Sequence, residues 1–236
     1  MATSGTTTFD LPFGDIAEES WERAGSEIRG GYDLRTTRRS LNLLLVDWAN
    51  RGVNLWTIAS NSITLVPGQA TYALTDPMVD IIEAVIRTAP GDVNNQTDIT
   101  ISRISVSTYV TLPNKLTQGR PIQMWIQRGT TANTTDSGVA ATVWPTPDNS
   151  MTYTLVYYFL RRLYDAGATA TQTTDVPYRF LEALTAGLAF KIAQKIPEGA
   201  PRLQMLKQEY LDVFQAAIDE DREKAPVRFI PRIGAL

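Results

Sequence analysis

The spacing of apolar residues changes twice along this 236-residue chain, and that change constrains the fold more than any single motif. Before residue 56 and after residue 175, apolar side chains recur every three or four positions, as they do on one face of a helix. Between these regions, short runs rich in Thr, Val, Ile and aromatic residues are separated by turn formers such as VPGQ, APGD and TPDNS. Such runs are typical of β-strands. We therefore expect an α+β protein with helices at both ends of the sequence.

A first helix is predicted to begin at Asp15, because its carboxylate and that of Glu18 have the spacing of a capping box. Four apolar residues then recur on one face, namely Ala17, Trp21, Ala24 and Ile28. Gly30 and Gly31 are expected to end this helix, since glycine is a poor helix former.

A second helix is predicted from about Leu34 to Arg51, and Gly52 has the position of a left-handed C-terminal cap. Its buried stripe is expected to contain Leu41, Leu44, Leu45 and Trp48. Because only a short turn joins the first two helices, we expect them to pack as an antiparallel pair.

Two further helices are predicted near the C-terminus. One starts after Asp175 with Pro177 in its first turn, and small residues such as Gly187 would let a neighbouring helix approach closely. It should be the most buried helix, with a stripe formed by Leu181, Leu184, Leu188 and Ile192. The other runs from about Pro201 to Lys224.

One amphipathic pair cannot bury its own apolar face well, so the two pairs are expected to form one antiparallel helical bundle. The predicted organisation is a flexible N-terminus at 1–13, a bundle domain at 14–55 and 170–225, an inserted antiparallel β domain at 56–169, and an extended C-terminal tail at 226–236. The core of the bundle and its joint to the β domain are assigned to Leu41, Leu44, Trp48, Trp56, Leu184 and Leu188. Trp56 is interpreted as a wedge that fixes the angle between the two domains.

The last ten residues, VRFIPRIGAL at 227–236, alternate basic and apolar side chains. From 222 to 236, four basic residues accompany only one acidic residue, which gives a net charge of +3. Two interpretations stay open: a frayed terminus, or an extended tail that becomes ordered by docking its apolar side chains in a partner with an acidic rim. In the second interpretation the docking residues are Arg228, Phe229, Ile230, Pro231, Arg232 and Ile233.

The chain contains no histidine and no cysteine, which removes the commonest general base, the commonest metal ligands and every disulfide. Glu18 and Glu19 are adjacent on a helix and point about 100° apart, so they do not form a catalytic pair. The run DEDRE at 219–223 is more typical of a solvated helix end than of a magnesium site. We therefore expect no catalytic, cofactor-binding or metal-binding residues, and no enzyme.

The net charge of −3 lacks the excess of Lys and Arg on which tight nucleic-acid binding depends. The N-terminus has no basic segment followed by an apolar stretch, so no signal peptide is expected. The most apolar window, ALTAGLAF at 183–190, is too short to span a bilayer. These features predict a soluble, unexported chain.

The predicted β domain has few charges, with seven Lys or Arg and eight Asp or Glu between 56 and 166. Such a surface either contacts another protein or faces water as one side of a sandwich, and both interpretations stay open. Six aromatic residues at strand spacing are either core and interface residues or a sugar-stacking platform: Trp125, Trp144, Tyr153, Tyr157, Tyr158 and Phe159.

Three stretches carry a further signal through their order and spacing. They are RRSLNLLLVDWANRGVNLWTI at 38–58, ITLVPGQATYALTDPMVDIIEAVIR at 63–87 and VPYRFLEALTAGLAFKIAQK at 176–195. Together they resemble the head-to-tail adaptor proteins of short-tailed bacteriophages, also called tail tubular protein A or tail accessory factor. The resemblance extends from about residue 14 to residue 225.

This resemblance implies a structural protein of a podovirus virion, a head-tail connector that assembles in the host cytoplasm. Such adaptors form a dodecameric ring between the portal protein and the tail nozzle protein, through which double-stranded DNA passes during ejection without tight binding. It further implies that the helical bundle lies near the portal, that the β domain faces the nozzle, and that 226–236 docks on the portal.

Two functions of other classes remain as alternatives. A virion-associated glycosidase that degrades peptidoglycan would need carboxylates such as Glu18 or Glu22 in a cleft. A receptor-binding or carbohydrate-binding β module would instead use the aromatic residues of the strands.

Overall fold

The computed structural model describes residues 5, 11–52, 55–128, 138–167 and 169–221 of the chain. The chain divides into two compact units, of which one comprises 1–55 and 163–236 and the other 56–162. The first is called the helical unit and the second, which contains both sheets, the β unit. The expected α+β class is confirmed.

The helices among the described residues are α1 Phe13–Ala24, α2 Gly31–Asn50, α3 Val106–Thr111, α4 Leu181–Ala193 and α5 Leu203–Glu220. Short 3-10 helices lie at Leu55–Thr57, Tyr178–Phe180 and Pro197–Arg202. The strands are β1 Ile58–Thr64, β2 Thr71–Leu74, β3 Met78–Thr88, β4 Thr97–Thr100, β5 Ser102–Ile104, β6 Gln123–Arg128, β7 Val139–Trp144 and β8 Tyr153–Arg161.

Helix α1 begins two residues before Asp15, and no side chain caps its N-terminus, so the expected capping box is wrong. Its first N–H groups are satisfied by backbone that lies far away in the sequence. The Phe13 N–H donates to the Gln172 carbonyl and the Gly14 N–H to the Ala170 carbonyl, both at 2.8 Å. Asp15 lies in the first turn, where a carboxylate favours the positive end of the helix dipole.

The ends of α1 and α2 are set by glycines in the left-handed region. Gly25 has a φ of 91° and ends α1 at Ala24, six residues before the expected stop at Gly30 and Gly31. Gly52 has a φ of 78° directly after the cap of α2, which confirms its predicted role.

Helix α4 is the centre of the helical unit, because α1, α2 and α5 all pack on it. Nine of its thirteen residues are buried, which confirms the expectation that this is the most buried helix. Helices α1 and α2 contact each other less than each contacts α4. A hydrogen bond of 2.8 Å from Trp21 Nε1 to Thr37 Oγ1 nevertheless joins them.

The β unit contains two four-stranded sheets with the strand orders β1-β8-β3-β4 and β2-β7-β6-β5. Apolar side chains from both sheets form one continuous core. The first sheet is antiparallel throughout. In the second sheet β5 pairs with β6 in parallel, so the expectation of a wholly antiparallel domain is wrong. The reason is the long crossover that contains α3, since parallel neighbours need a connection of this kind.

The chain enters and leaves the β unit at neighbouring strands. In β1 and β8, Ile58 lies opposite Leu160 and Thr64 lies opposite Thr154. The two ends of the unit therefore lie side by side, as an inserted domain requires.

Candidate interaction surfaces

Side chains suited to catalysis are scattered in the described part of the chain. Within it, no group of three acidic residues is close enough to hold a metal ion, and no helix is long and apolar enough to cross a membrane. Glu18 and Glu22 lie one turn apart on the exposed face of α1, so they do not oppose each other across a cleft. The DEDRE run is described only as far as Asp221, whose carboxylate accepts a hydrogen bond of 2.8 Å from Arg179 Nε.

The six strand aromatics for which a sugar-stacking platform was considered do not form one platform. Tyr153, Tyr157 and Phe159 are buried in the core, whereas Tyr158 lies on the opposite face of β8 and is exposed. Trp125 stacks on Tyr109 with ring centroids 5.2 Å apart, and Trp144 Nε1 donates to the Asn114 carbonyl. Because successive residues of a strand point to opposite faces, these side chains are divided between the core and the outer faces of the sheets and do not share one surface.

An open cleft of about 450 Å³ lies in the β unit. Arg120 is the charged residue of its lining, which otherwise consists of Thr88, Thr97, Ile99, Ile122, Met151 and Tyr153. A cleft with one cation and no carboxylate lacks the acid and base pair of a glycosidase.

Within the β unit, the hydroxyl of Tyr157 donates a hydrogen bond of 2.6 Å to Asp76 Oδ2. Asn61 Nδ2 also donates to this carboxylate, at 2.9 Å. Burial, together with the neighbouring Asp76 carboxylate, raises the pKa of Tyr157 well above its ordinary value. The contact ties β8 to the turn that precedes β3.

In the helical unit, Trp48 is fully buried and holds an aromatic cluster together. Its Nε1 donates to the Tyr210 hydroxyl at 2.9 Å, and its ring centroid lies 5.6 Å from that of Phe180 and 5.2 Å from that of Phe214. Helix α2 is thereby fixed to α5 and to the turn that leads into α4. Burial also raises the pKa of Tyr210.

The other bundle residues predicted from the sequence are buried as well, namely Leu41, Leu44, Leu184 and Leu188. Gly187 lies where α4 meets its neighbours. A Cβ at this position would lie 2.8 Å from the Tyr210 ring and 3.0 Å from Leu44 Cδ2. Because Gly187 has no side chain, α2 and α5 approach α4 closely, as the small residues of α4 predict.

The remaining predicted residues stay predictions. Trp56 lies in the Leu55–Thr57 turn at the start of the β unit and is half-buried. The docking residues 228–233, and the whole of the predicted tail at 226–236, lie outside the described residues.

Arg23 carries an ion cluster on the helical unit. Its Nε lies 2.7 Å from Glu19 Oε1, and its Nη1 lies 2.7 Å from Glu182 Oε1 and 3.4 Å from Glu209 Oε1. Hydrogen bonding to Glu182 raises the pKa of Arg23 above its ordinary value. The cluster joins α1, α4 and α5, and its charges are satisfied within the unit.

The outward face of α2 differs from this cluster because its charges and apolar groups face solvent. Leu43 is 63% exposed and Val46 is 57% exposed, and Arg39 is exposed one turn before Leu43. Across 11–52, 55–128, 138–167 and 169–221, no acidic side chain forms an ion pair with Arg39. Burial, and next the nearby charges of Arg39 and Lys191, lower the pKa of Lys195. This second face was missed from the sequence, although Leu43 and Val46 are apolar residues outside the predicted stripe.

Comparison with known proteins gives one family. A family model described as SU10 adaptor protein matches residues 7–230, which is 224 of the 236 residues counted inclusively. No curated protein matches the chain. The matched range contains all three stretches that carry the resemblance to phage adaptors. It supports a phage adaptor protein, whereas the narrower assignment to tail tubular protein A stays a prediction.

Proposed function

The chain belongs to the SU10 adaptor protein family, and from this premise we propose that it is the head-to-tail adaptor of a short-tailed phage. Its subunits form a dodecameric ring in the neck of the virion, between the portal protein and the tail nozzle protein. Double-stranded DNA passes through this ring during ejection. The observation that carries the proposal is the family match over 7–230.

Features of the two units support a role in assembly. The helical unit exposes apolar side chains on the outward face of α2, and exposed apolar groups of this kind mark protein interaction surfaces. The β unit has a core of its own and few charged residues, as a module that presents a separate contact surface would have. In the proposal the helical unit contacts the portal and the β unit contacts the nozzle.

The charge of the chain is compatible with a DNA channel. A protein with a net charge of −3 does not attract phosphates strongly, so a ring of such subunits lets DNA slide past. A strongly basic lumen would hold the genome instead.

The C-terminal tail provides the sharpest test of the portal contact. We expect a chain that lacks 226–236 to keep its fold, because the described helices end at Glu220, but to fail to bind portal rings. Circular dichroism would measure the fold, and electron microscopy of mixtures with portal rings would measure binding. A full-length variant in which Phe229, Ile230 and Ile233 are all replaced by Ser should behave like the deletion.

A matched control retains the length and charge of the tail while changing only its order. A chain with 227–236 scrambled should fail to bind if the sequence of the tail matters. Portal binding by the deleted chain at the wild-type level would contradict the docking role. Failure of the wild-type protein to join portal rings would contradict the adaptor function itself.

A further inference from the structure

The exposed face of α2 contains a regular stripe. Its members, spaced alternately four and three residues apart, are Tyr32, Thr36, Arg39, Leu43 and Val46, of which Thr36 is half-buried and the other four are exposed. Residues at this spacing lie along one side of a helix. The buried residues of α2 lie at other positions, so this helix has one stripe for its own core and another for a partner.

Helix α5 carries a second stripe that faces away from its own core. Its members, spaced alternately three and four residues apart, are Met205, Gln208, Asp212, Gln215 and Asp219. All five are exposed, and Met205 is 59% exposed. Leu211, at 40% exposure, borders the stripe between Gln208 and Asp212.

The side chains of the two stripes are complementary when the two helices run antiparallel. Each stripe spans fifteen residues, with about 21 Å along the helix axis between its first and last members. In an antiparallel register Arg39 lies opposite Asp212, and Val46 lies opposite Met205. Leu43 then lies at the level of Gln208, beside Leu211. Helices whose contact residues are alternately three and four positions apart typically pack side by side at a shallow crossing angle.

Charge decides which surface can cover each stripe. The α2 stripe is basic at Arg39, with Arg35 one turn earlier, whereas the α5 stripe is acidic at Asp212. Packing α2 on another α2 would place like charges together, and packing α5 on another α5 would do the same. Packing α2 on α5 places Arg39 against Asp212 and apolar side chains against each other.

We propose that the α2 stripe of one subunit packs antiparallel on the α5 stripe of a second copy of this chain. Because two different surfaces meet, each subunit offers one of each, and the contact repeats around a closed ring or along a filament. This inference rests on the proposed ring and identifies the surfaces by which neighbouring subunits would join.

Introduced cysteines test the register directly, because the chain has no cysteine of its own. In the double variant Val46→Cys with Met205→Cys, mild oxidation of assembled protein should yield a ladder of covalent oligomers on a non-reducing gel. Either single variant should stay monomeric on that gel, since its cysteine would have no partner. Cross-linking by Val46→Cys alone would show α2 packed on α2 and would overturn the proposal.

Charge exchange tests the electrostatic part. Arg39→Glu and Asp212→Arg should each raise the protein concentration needed for assembly by about tenfold or more. The double variant, which restores opposite charges in exchanged positions, should assemble near the wild-type concentration. Lys207→Glu is the matched control, because it makes the same charge change on α5 outside the stripe and should leave assembly unchanged.

The outcomes separate this inference from the adaptor function. Wild-type protein that forms rings with the portal, while the cysteine pair gives no ladder and the double variant shows no rescue, would overturn the α2 and α5 contact alone. Wild-type protein that forms no ring, either alone or on the portal, would overturn the ring. If Arg39→Glu assembles normally but loses retention of a DNA duplex, the stripe faces DNA and the proposal is wrong.

Discussion

Tyr157 gives the β unit a dependence on pH that can be stated at the level of one residue. Burial and Asp76 raise its pKa, so the folded protein keeps this proton at a pH where the unfolded chain, with an ordinary tyrosine pKa of 10.0, loses it. Above about pH 10 the native state therefore binds more protons than the unfolded state, and stability falls as pH rises. Tyr72 and Tyr210 contribute with the same sign, since burial raises their pKa values as well.

Urea unfolding measured between pH 8 and pH 11 would test this expectation. The wild-type midpoint should fall with increasing pH above about 10, and Tyr157→Phe should fall less steeply because one linked proton has been removed. Tyr158→Phe, on the exposed face of the same strand, is a matched control for the loss of a hydroxyl. Equal slopes for the wild type and Tyr157→Phe would contradict the role of the Asp76 contact.

The two tryptophans that lie eight residues apart are expected to respond differently to truncation. Trp48→Ala removes a fully buried ring and its bond to Tyr210, which should cost about 3–5 kcal/mol of stability. Tyr210→Phe removes only the hydrogen bond to Trp48, which should cost about 1 kcal/mol of stability.

Trp56 is half-buried, so Trp56→Ala should cost less stability than Trp48→Ala. If Trp56 fixes the angle between the domains, its truncation should weaken ring assembly more than it weakens the fold. Normal assembly of the folded Trp56→Ala protein would show that Trp56 contributes only to packing and would contradict its role as a joint.

At the scale of the element, the packing of α4 against its neighbours depends on the missing side chain at Gly187. Gly187→Ala should destabilise the helical unit by about 1–3 kcal/mol, because the new methyl group meets Tyr210 and Leu44 at 2.8 and 3.0 Å. Gly31→Ala is the matched control, since it makes the same change at the first residue of α2 with open space around it. Thermal unfolding of both variants would measure the difference. A Gly187→Ala protein as stable as Gly31→Ala would contradict the close packing.

Helix and strand periodicity predicted most elements of this chain, because burial of a stripe is a local property of the sequence. The buried face of α2, the burial of α4 and the glycine cap at Gly52 were all expected and are confirmed. The start of α1 was predicted wrongly. Its first N–H groups bond to the backbone of Ala170 and Gln172, and the residues around Asp15 give no indication of these distant partners.

The β unit was harder to predict for a related reason. Whether two strands pair in parallel depends on the path between them, and the alternation within β5 and β6 is the same in either direction. The exposed stripe of α2 was not predicted because the buried stripe by itself accounts for an amphipathic helix. Leu43 and Val46 are apolar residues outside the buried stripe, and they could have indicated a second contact surface on α2.

At the scale of the whole molecule, the β unit should fold without the helices. It has its own core, and its first and last strands pair along their length. A chain limited to 56–162 should therefore give the circular dichroism spectrum of a β-sheet protein and unfold cooperatively. Dispersed amide resonances would confirm a unique structure, and a non-cooperative transition would contradict independent folding.

The central position of α4 also orders events in time. During synthesis α2 is complete at Asn50, but α4, on which it packs, begins only at Leu181. At roughly 5–20 residues per second, the ribosome takes about 7–26 s to make the 130 residues between these points. For that period α1 and α2 expose the apolar faces that α4 later covers, and the β unit is completed only at residue 162, shortly before α4 is made. A newborn chain should therefore be most prone to capture by chaperones in the seconds before α4 emerges.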